Sequence, residues 1–201
     1  MMIKAISYSE FETEVLPILN RFFAIENAFS PRPFASDVSA KRILFDWRYK
    51  YSVDPPLLLS LIEAAKSIGD SGFYLRGHVS EKDDIAAWYV PFSEIESYTQ
   101  SQDSPLRRAT SFEQTLFSPS GQWGILTSHE THMLLGSMQQ FMNKLKELVP
   151  DLDDQVLQFL EHWQYVKNTG GSSSSHWLPG LMYQVYGHEE GAQMLQNAGL
   201  P

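Results

Sequence analysis

The stretch of the chain that is richest in chemically competent side chains is "SHETHMLL", Ser128–Leu135. His129, Glu130 and His132 stand within four consecutive positions. Imidazoles and carboxylates bind zinc, and they are also common general acids and bases. The stretch is therefore either a metal or acid–base site, or a polar turn between two structural elements.

The histidine spacing resembles the zinc-protease motif H-E-x-x-H but does not match it, because Met133 stands where that motif has its second histidine. Histidines three residues apart converge on a helix, whereas on a strand they face opposite sides. The stretch follows an apparent strand and precedes "LLGS", which we interpret as a turn. We therefore favour a partly exposed polar turn that leads into a helix at Ser137. A metal site made by His129, Glu130 and His132 is the alternative.

The other candidate catalytic groups lack diagnostic spacing. His78, His162, His176 and His188 are scattered, and none has a nucleophile at a motif distance. The serine run 172–175 has no G-x-S-x-G elbow around it. No glycine loop has the strand, helix and lysine that phosphate binding needs. The sequence thus assigns no catalytic residue, and we expect no cofactor.

Aromatic residues in the middle of the chain form a second group of candidates. "WYVPF" contains Trp88 and Tyr89, and Trp123 follows later. Tryptophan and tyrosine often anchor protein interfaces, so these three residues are candidate binding residues. Packing in the core is the alternative, and it is the more frequent fate of such side chains.

The composition indicates a globular protein. Of its 201 residues 43% are hydrophobic and 13% aromatic, which suffices for a sizeable core. The chain has no cysteine, which excludes disulfides, thiolate metal sites and a cysteine nucleophile. No apolar run reaches the length of a signal peptide or a membrane span. We expect a cytoplasmic protein that does not enter a membrane.

The net charge of −9 bears on the choice of partner. An acidic surface repels phosphate backbones, so we expect no binding to nucleic acid. The same charge favours a basic protein partner through steering and complementarity. An acidic surface that only keeps the protein soluble is the alternative.

Residues 1–69 are predicted to be helical. A capping box of Ser9 and Glu12 begins the first helix, which Pro17 must kink or delay. A third helix is predicted to begin after Asp54 as its cap. Between them, a second helix is predicted from one apolar face made by Ala40, Ile43, Leu44, Trp47 and Tyr51.

Residues 72–127 are predicted to form strands, and residues 137–199 to return to helices. The strand signals are the aromatic and β-branched runs "GFYLRGHV", "AAWYVPF", "TLF" and "WGILT", the last two joined by the hairpin loop "SPSGQ". A capping box of Ser137 and Gln140 begins the next helix. This order predicts an α+β fold in which an antiparallel sheet of about four strands is covered by the N-terminal and C-terminal helices. We expect residues 1–201 to form a single domain.

The segment "LFSPSGQWGILTSHETHMLLGS", Leu116–Ser137, resembles a pattern in small bacterial proteins of the immunity-protein kind. Its elements are a turn flanked by aromatic residues, a W-G pair, a polar patch with glutamate, and L-L-G before a helix. "FYLRGH" and "WYVPFSE" resemble the sheet of such proteins. The resemblance implies a protein that binds and neutralises a toxin and catalyses nothing. It assigns no functional residue.

Three functional hypotheses follow from the sequence. The first is a non-enzymatic, acidic, immunity or antitoxin-like factor that binds another protein, in particular a basic toxin. The second is a metal-dependent hydrolase that uses His129, Glu130 and His132. The third is a structural subunit of a phage or secretion assembly.

Overall fold

The structure is a computed structural model that describes residues 2–46, 53, 55–77, 84–95, 113–169 and 175–200. Several predicted features lie outside these residues: Trp47, Tyr51, the Asp54 cap, His78 and Ser172 to Ser174 of the serine run.

A seven-stranded antiparallel sheet forms the centre of the fold, with strand order β1-β4-β3-β5-β6-β7-β2. Its strands are β1 (Lys4–Ser7), β2 (Ala40–Phe45), β3 (Gly72–Arg76), β4 (Ile85–Pro91), β5 (Thr115–Phe117), β6 (Trp123–Thr127) and β7 (His132–Ser137). The predicted α+β class and antiparallel pairing are confirmed, but the estimate of about four strands was too low. The four expected strands are β3 to β6, and β5 and β6 form the predicted hairpin.

Six helices pack on this sheet in the part of the chain that the structure describes. The helices are α1 (residues 8–19), α2 (Pro55–Ser67), α3 (Gln139–Leu148), α4 (Gln155–Asn168), α5 (Leu178–Tyr186) and α6 (His188–Asn197). Within the described residues, no helix combines the length and the apolar character needed to cross a bilayer.

Helices cover both faces of the sheet. Leu58 of α2 and Phe141 of α3 pack on one face, while Val15 of α1 and Phe159 of α4 pack on the other. Strand residues alternate between these two cores because successive side chains point to opposite faces. In β7, Met133 and Leu135 enter the first core and Leu134 enters the second. Central strands therefore contain consecutive apolar residues, without the polar alternation of a half-exposed sheet.

The prediction that residues 1–69 are helical is wrong at two places. Residues Lys4–Ser7 form the edge strand β1, and residues 40–45, which we predicted as part of a helix from Ala40 to Tyr51, form the edge strand β2. Ile43 and Phe45 face one core and Leu44 faces the other. A strand that is buried on both faces has consecutive apolar residues, and such a run also fits a helical spacing.

The capping predictions at two helices are also wrong. Ser137 ends β7 and its side chain caps no helix; Met138 precedes α3 without a side-chain cap. At α1 the Oγ atom of Ser7, rather than Ser9, accepts a hydrogen bond from the Glu10 amide at 3.3 Å. Helix α1 continues through Pro17 by way of a π-helical turn, in which the Leu16 amide donates to the Phe11 carbonyl. A local widening of this kind adjusts the helix where proline removes a hydrogen-bond donor.

A glutamine from α4 protects the outer edge of β2. The Phe45 amide donates to Oε1 of Gln155 at 3.1 Å, and Gln155 is buried. Unpaired edge amides promote aggregation, so this bond both satisfies the amide and blocks the edge.

We expect Gln155→Ala to lower the free energy of unfolding by about 1–3 kcal/mol, because it leaves the buried Phe45 amide without its acceptor. The measurement is urea denaturation, with Gln158→Ala as the matched control because Gln158 is exposed on the same helix. Equal stability of the two variants would contradict the proposed role of Gln155.

Candidate functional site

The segment Ser128–Leu135 comprises the tight connection between β6 and β7 and the first residues of β7. Residues 128–131 form the turn, as predicted, but His132 begins a strand, so the predicted turn at "LLGS" is wrong. The two histidines differ in their exposure to solvent. His129 is exposed, whereas His132 is only 1% exposed.

His132 is held as a neutral imidazole of defined tautomer. Its Nε2 atom lies 3.2 Å from the Ala28 carbonyl oxygen, which can only accept, so Nε2 carries the proton. Its unprotonated Nδ1 atom lies 3.1 Å from Oγ of Ser128, whose hydroxyl also donates to the His132 carbonyl at 2.8 Å. Burial lowers the pKa of His132 to about 4, and the hydrogen bond to Ala28 only partly opposes this shift. Both ring nitrogens thus face polar atoms of the protein, and neither is open to solvent.

Aromatic rings enclose His132. Trp177 stacks on the imidazole at 5.7 Å between ring centroids and 15° between planes. Phe29 and Phe159 meet it edge-on at 5.1 and 5.2 Å. These rings come from the loop after α1, from α4 and from the start of α5. His132 therefore ties together three segments that are distant in sequence.

His129 lies on the solvent side of the same aromatic group. Its Nδ1 atom is 2.7 Å from Oε1 of Glu113, and its ring is 4.6 Å from that of Phe29. Phe29 thus contacts both imidazoles, and the two rings do not share a ligand. In the ranges that the structure describes, no group of three histidine or carboxylate side chains is placed to hold a metal ion.

Glu130 is half-buried and makes no hydrogen bond or ion pair with another described residue. It lies close enough to His162 to influence its titration. Burial lowers the pKa of His162, and the negative charge of Glu130 opposes that shift. Of the three residues that the sequence singled out, Glu130 is the one whose charge is available to a partner.

We use the name acidic corner for a group of residues on this turn, before β5 and in the loop after α1, in which Phe29 and Glu113 contact His129 and Glu26 contacts Thr115 of β5. Its members are Ile25, Glu26, Phe29, Glu113, His129 and Glu130. Glu26 accepts a hydrogen bond from Thr115 and pairs with Arg76, whose Nη1 atom is 3.2 Å from Oε2. Ile25 beside it is 49% exposed, which is unusual for isoleucine.

The aromatic candidates occupy different positions. Trp123 is 1% and Trp88 8% exposed, and both pack in the core under α2 and α3. Tyr89 points to the opposite face, where its ring contacts Tyr74 at 5.7 Å and its hydroxyl lies 3.2 Å from Oγ of Ser71. The structure brings none of these three residues to the acidic corner.

Several residues of the corner and its support were missed in the sequence. Phe29 belongs to "FSPRPF", which carries no catalytic or binding signal, and Trp177 lies 45 positions after His132. Glu113 precedes β5 and belongs to no motif. Their proximity results from the sheet topology, which local spacing does not encode.

Comparison with known proteins adds no relative to this picture. No protein-family model matches the chain, and no match was found among curated proteins or solved structures.

Proposed function

We propose that this chain is a non-enzymatic cytoplasmic protein that binds a basic protein partner at the acidic corner, in the manner of an immunity or antitoxin factor. The observation that supports the proposal is that three carboxylates, Glu26, Glu113 and Glu130, lie on the β6–β7 turn or on segments that contact its surroundings, together with the half-buried Phe29 and the exposed Ile25. The resemblance of residues 116–137 to immunity-type proteins points in the same direction.

Charge supports the choice of a basic partner. The chain has a net charge of −9, and the cation paired at the corner is Arg76. Complementary charge accelerates encounter and excludes partners of the wrong sign. Glu130, which has no cation paired to it among the described residues, is the carboxylate that gains most from a lysine or arginine of the partner.

The apolar part of the corner supplies a contact that charge alone does not. Ile25 is 49% exposed, and Phe29 is half-buried between His129 and Trp177. Interfaces have an apolar centre with a polar rim, and removing such area from water stabilises a complex by about 25 cal/mol per Å². The rings of His132 and Trp177 also hold Phe29 from behind, so little side-chain entropy is lost when a partner covers it.

The test is affinity capture from lysate of the source cells at low salt. We expect wild-type protein to retain a stoichiometric basic protein that salt releases. Glu113→Gln/Glu130→Gln should weaken its retention at least tenfold, because the double variant removes two charges from the corner. The matched control is Glu189→Gln/Glu190→Gln, which removes two charges from the exposed start of α6 and should bind as wild type does.

A growth assay then separates an immunity factor from other binding proteins. The captured partner, expressed alone, should arrest growth, and co-expression of wild-type protein but not of the corner variant should restore it. Equal retention by both double variants, or a partner that is acidic, would contradict the proposal. A harmless basic partner would leave a binding protein but remove the immunity function.

A further inference from the structure

A cleft with a volume of about 390 Å³ opens at the other end of β7 from the acidic corner. The two ends of this six-residue strand are separated by roughly 17 Å at about 3.4 Å per residue. The cleft lies between the end of α1, the loop before β2 and the β5–β6 hairpin. Its size falls within the range of small-molecule sites.

An arginine without a counter-charge lies in this cleft. The guanidinium of Arg21 makes no hydrogen bond or ion pair with any residue that the structure describes. Its side chain is exposed and runs along the hairpin turn, where a β-carbon at Gly121 would lie 2.5 Å from its Nη1 atom. Gly121 has a φ of +69°, so glycine is required there for the turn. The planar guanidinium with its several donors suits a carboxylate ligand.

A carboxylate lines the same cleft. Asp37 accepts a hydrogen bond from Oγ of Ser36 at 2.8 Å and does not pair with Arg21. Two opposite charges that share a cleft without touching fit a ligand that carries both charges. A simple anion would be repelled by Asp37, and a simple cation by Arg21.

The remaining walls offer apolar contact and one more polar group. Pro17, Phe22 and Val38 line the cleft, and Met138 at its edge is 42% exposed. Ser137 also lines it, and its buried hydroxyl has no hydrogen-bond partner within the described ranges. Buried hydroxyls are nearly always bonded, so a missing partner is itself a sign of a ligand or water.

We propose that this cleft binds a small zwitterion of the α-amino-acid type with an apolar side chain. Arg21 receives the carboxylate, Asp37 receives the ammonium group, and Met138 and Phe22 contact the side chain. This inference goes beyond the proposed function, uses none of its residues and stands or falls separately.

The test is calorimetric titration of the whole chain with L-leucine and L-methionine. Two leucine analogues each lack one charge: 4-methylpentanoate has no ammonium group and isopentylamine has no carboxylate. We expect each analogue, and each of the variants Arg21→Gln and Asp37→Asn with leucine, to bind at least tenfold more weakly than wild type binds leucine. Arg32→Gln is the matched control, because Arg32 is exposed and lies outside the cleft.

Titration of each variant with the two analogues tests which side chain binds which charge of the ligand. Arg21→Gln should bind isopentylamine, which lacks the carboxylate, no more weakly than it binds leucine. Asp37→Asn should likewise bind 4-methylpentanoate, which lacks the ammonium group, no more weakly than it binds leucine. The amides of Gly121 and Ser137 should shift in nuclear magnetic resonance spectra when leucine is added. Failure of both amino acids to bind, or binding that Arg21→Gln and Asp37→Asn leave unchanged, would overturn the proposal.

Discussion

Wild-type protein is expected to lose about 3 kcal/mol of stability between about pH 6.5 and pH 4, and His132→Gln to lose most of that dependence. In the folded protein burial lowers the pKa of His132 from 6.5 to about 4. In the unfolded chain the ring returns to its ordinary value. The unfolded state therefore binds more protons throughout this interval.

The sign follows from that difference in proton binding. The contribution of neutral His132 to stability is fully present above the pKa of the unfolded chain. It falls as the pH drops towards the pKa of the folded protein and stays low below that value. Protonation also places a positive charge among Phe29, Phe159 and Trp177, where no carboxylate of the described residues hydrogen-bonds to the ring. His162 adds to the effect in the same direction, because burial lowers its pKa as well.

Urea denaturation at several pH values measures this effect. His132→Gln is neutral at every pH and keeps an amide that can donate to the Ala28 carbonyl, although it loses ring contacts and is less stable at neutral pH. His129→Gln is the control, because His129 is exposed and should leave the slope unchanged. The Cε1 proton of His132 should titrate with a midpoint near 4 in wild-type protein. A midpoint near 6.5 would contradict the buried, neutral ring.

The sequence predicted the parts of the fold that have local signals. Strands β3 to β6 alternate or are bounded by turn residues, and the Pro119–Gly121 loop marks their hairpin. Strands β2 and β7 were missed because both faces of each are covered, so that Ile43, Leu44 and Phe45 have no polar alternation. Gly136 belongs to the predicted "LLGS" turn, but in the structure it lies in β7 and pairs with Gly124. The absence of a side chain leaves room for Phe34, because a β-carbon at Gly136 would lie 3.1 Å from that ring.

The candidate site was predictable only in its exposed half. The placement of His129 and Glu130 in a turn follows from their types and neighbours. The burial of His132 does not, since it depends on Phe29, Phe159 and Trp177, which reach it from elements far apart in the chain. Long-range packing also decides whether a tryptophan lies in the core or at an interface, and the sequence left that choice open for Trp123.

Trp123→Ala is expected to lower the free energy of unfolding by about 3–5 kcal/mol, which is the cost of removing a large aromatic ring from a packed core. Trp123 is 1% exposed and stacks on Phe141 at 5.3 Å with 12° between the planes. Its Nε1 atom donates to Oδ2 of Asp70 at 3.0 Å, and Ser118 donates to the same oxygen at 2.7 Å. The ring thus contributes both apolar burial and a polar tie to the end of α2.

A second substitution separates these two contributions. Trp123→Phe keeps an aromatic ring against Phe141 but leaves Asp70 with Ser118 alone, so we expect a loss of about 1–2 kcal/mol from the missing hydrogen bond. Tyr165→Ala, at a residue that is 65% exposed, should change stability by less than about 0.5 kcal/mol. If Trp123→Ala instead left the urea midpoint unchanged and weakened retention of the captured partner, Trp123 would be an interface residue. If Trp123 is a structural residue, Trp123→Ala should lose the most stability, Trp123→Phe should lose less, and Tyr165→Ala should lose the least.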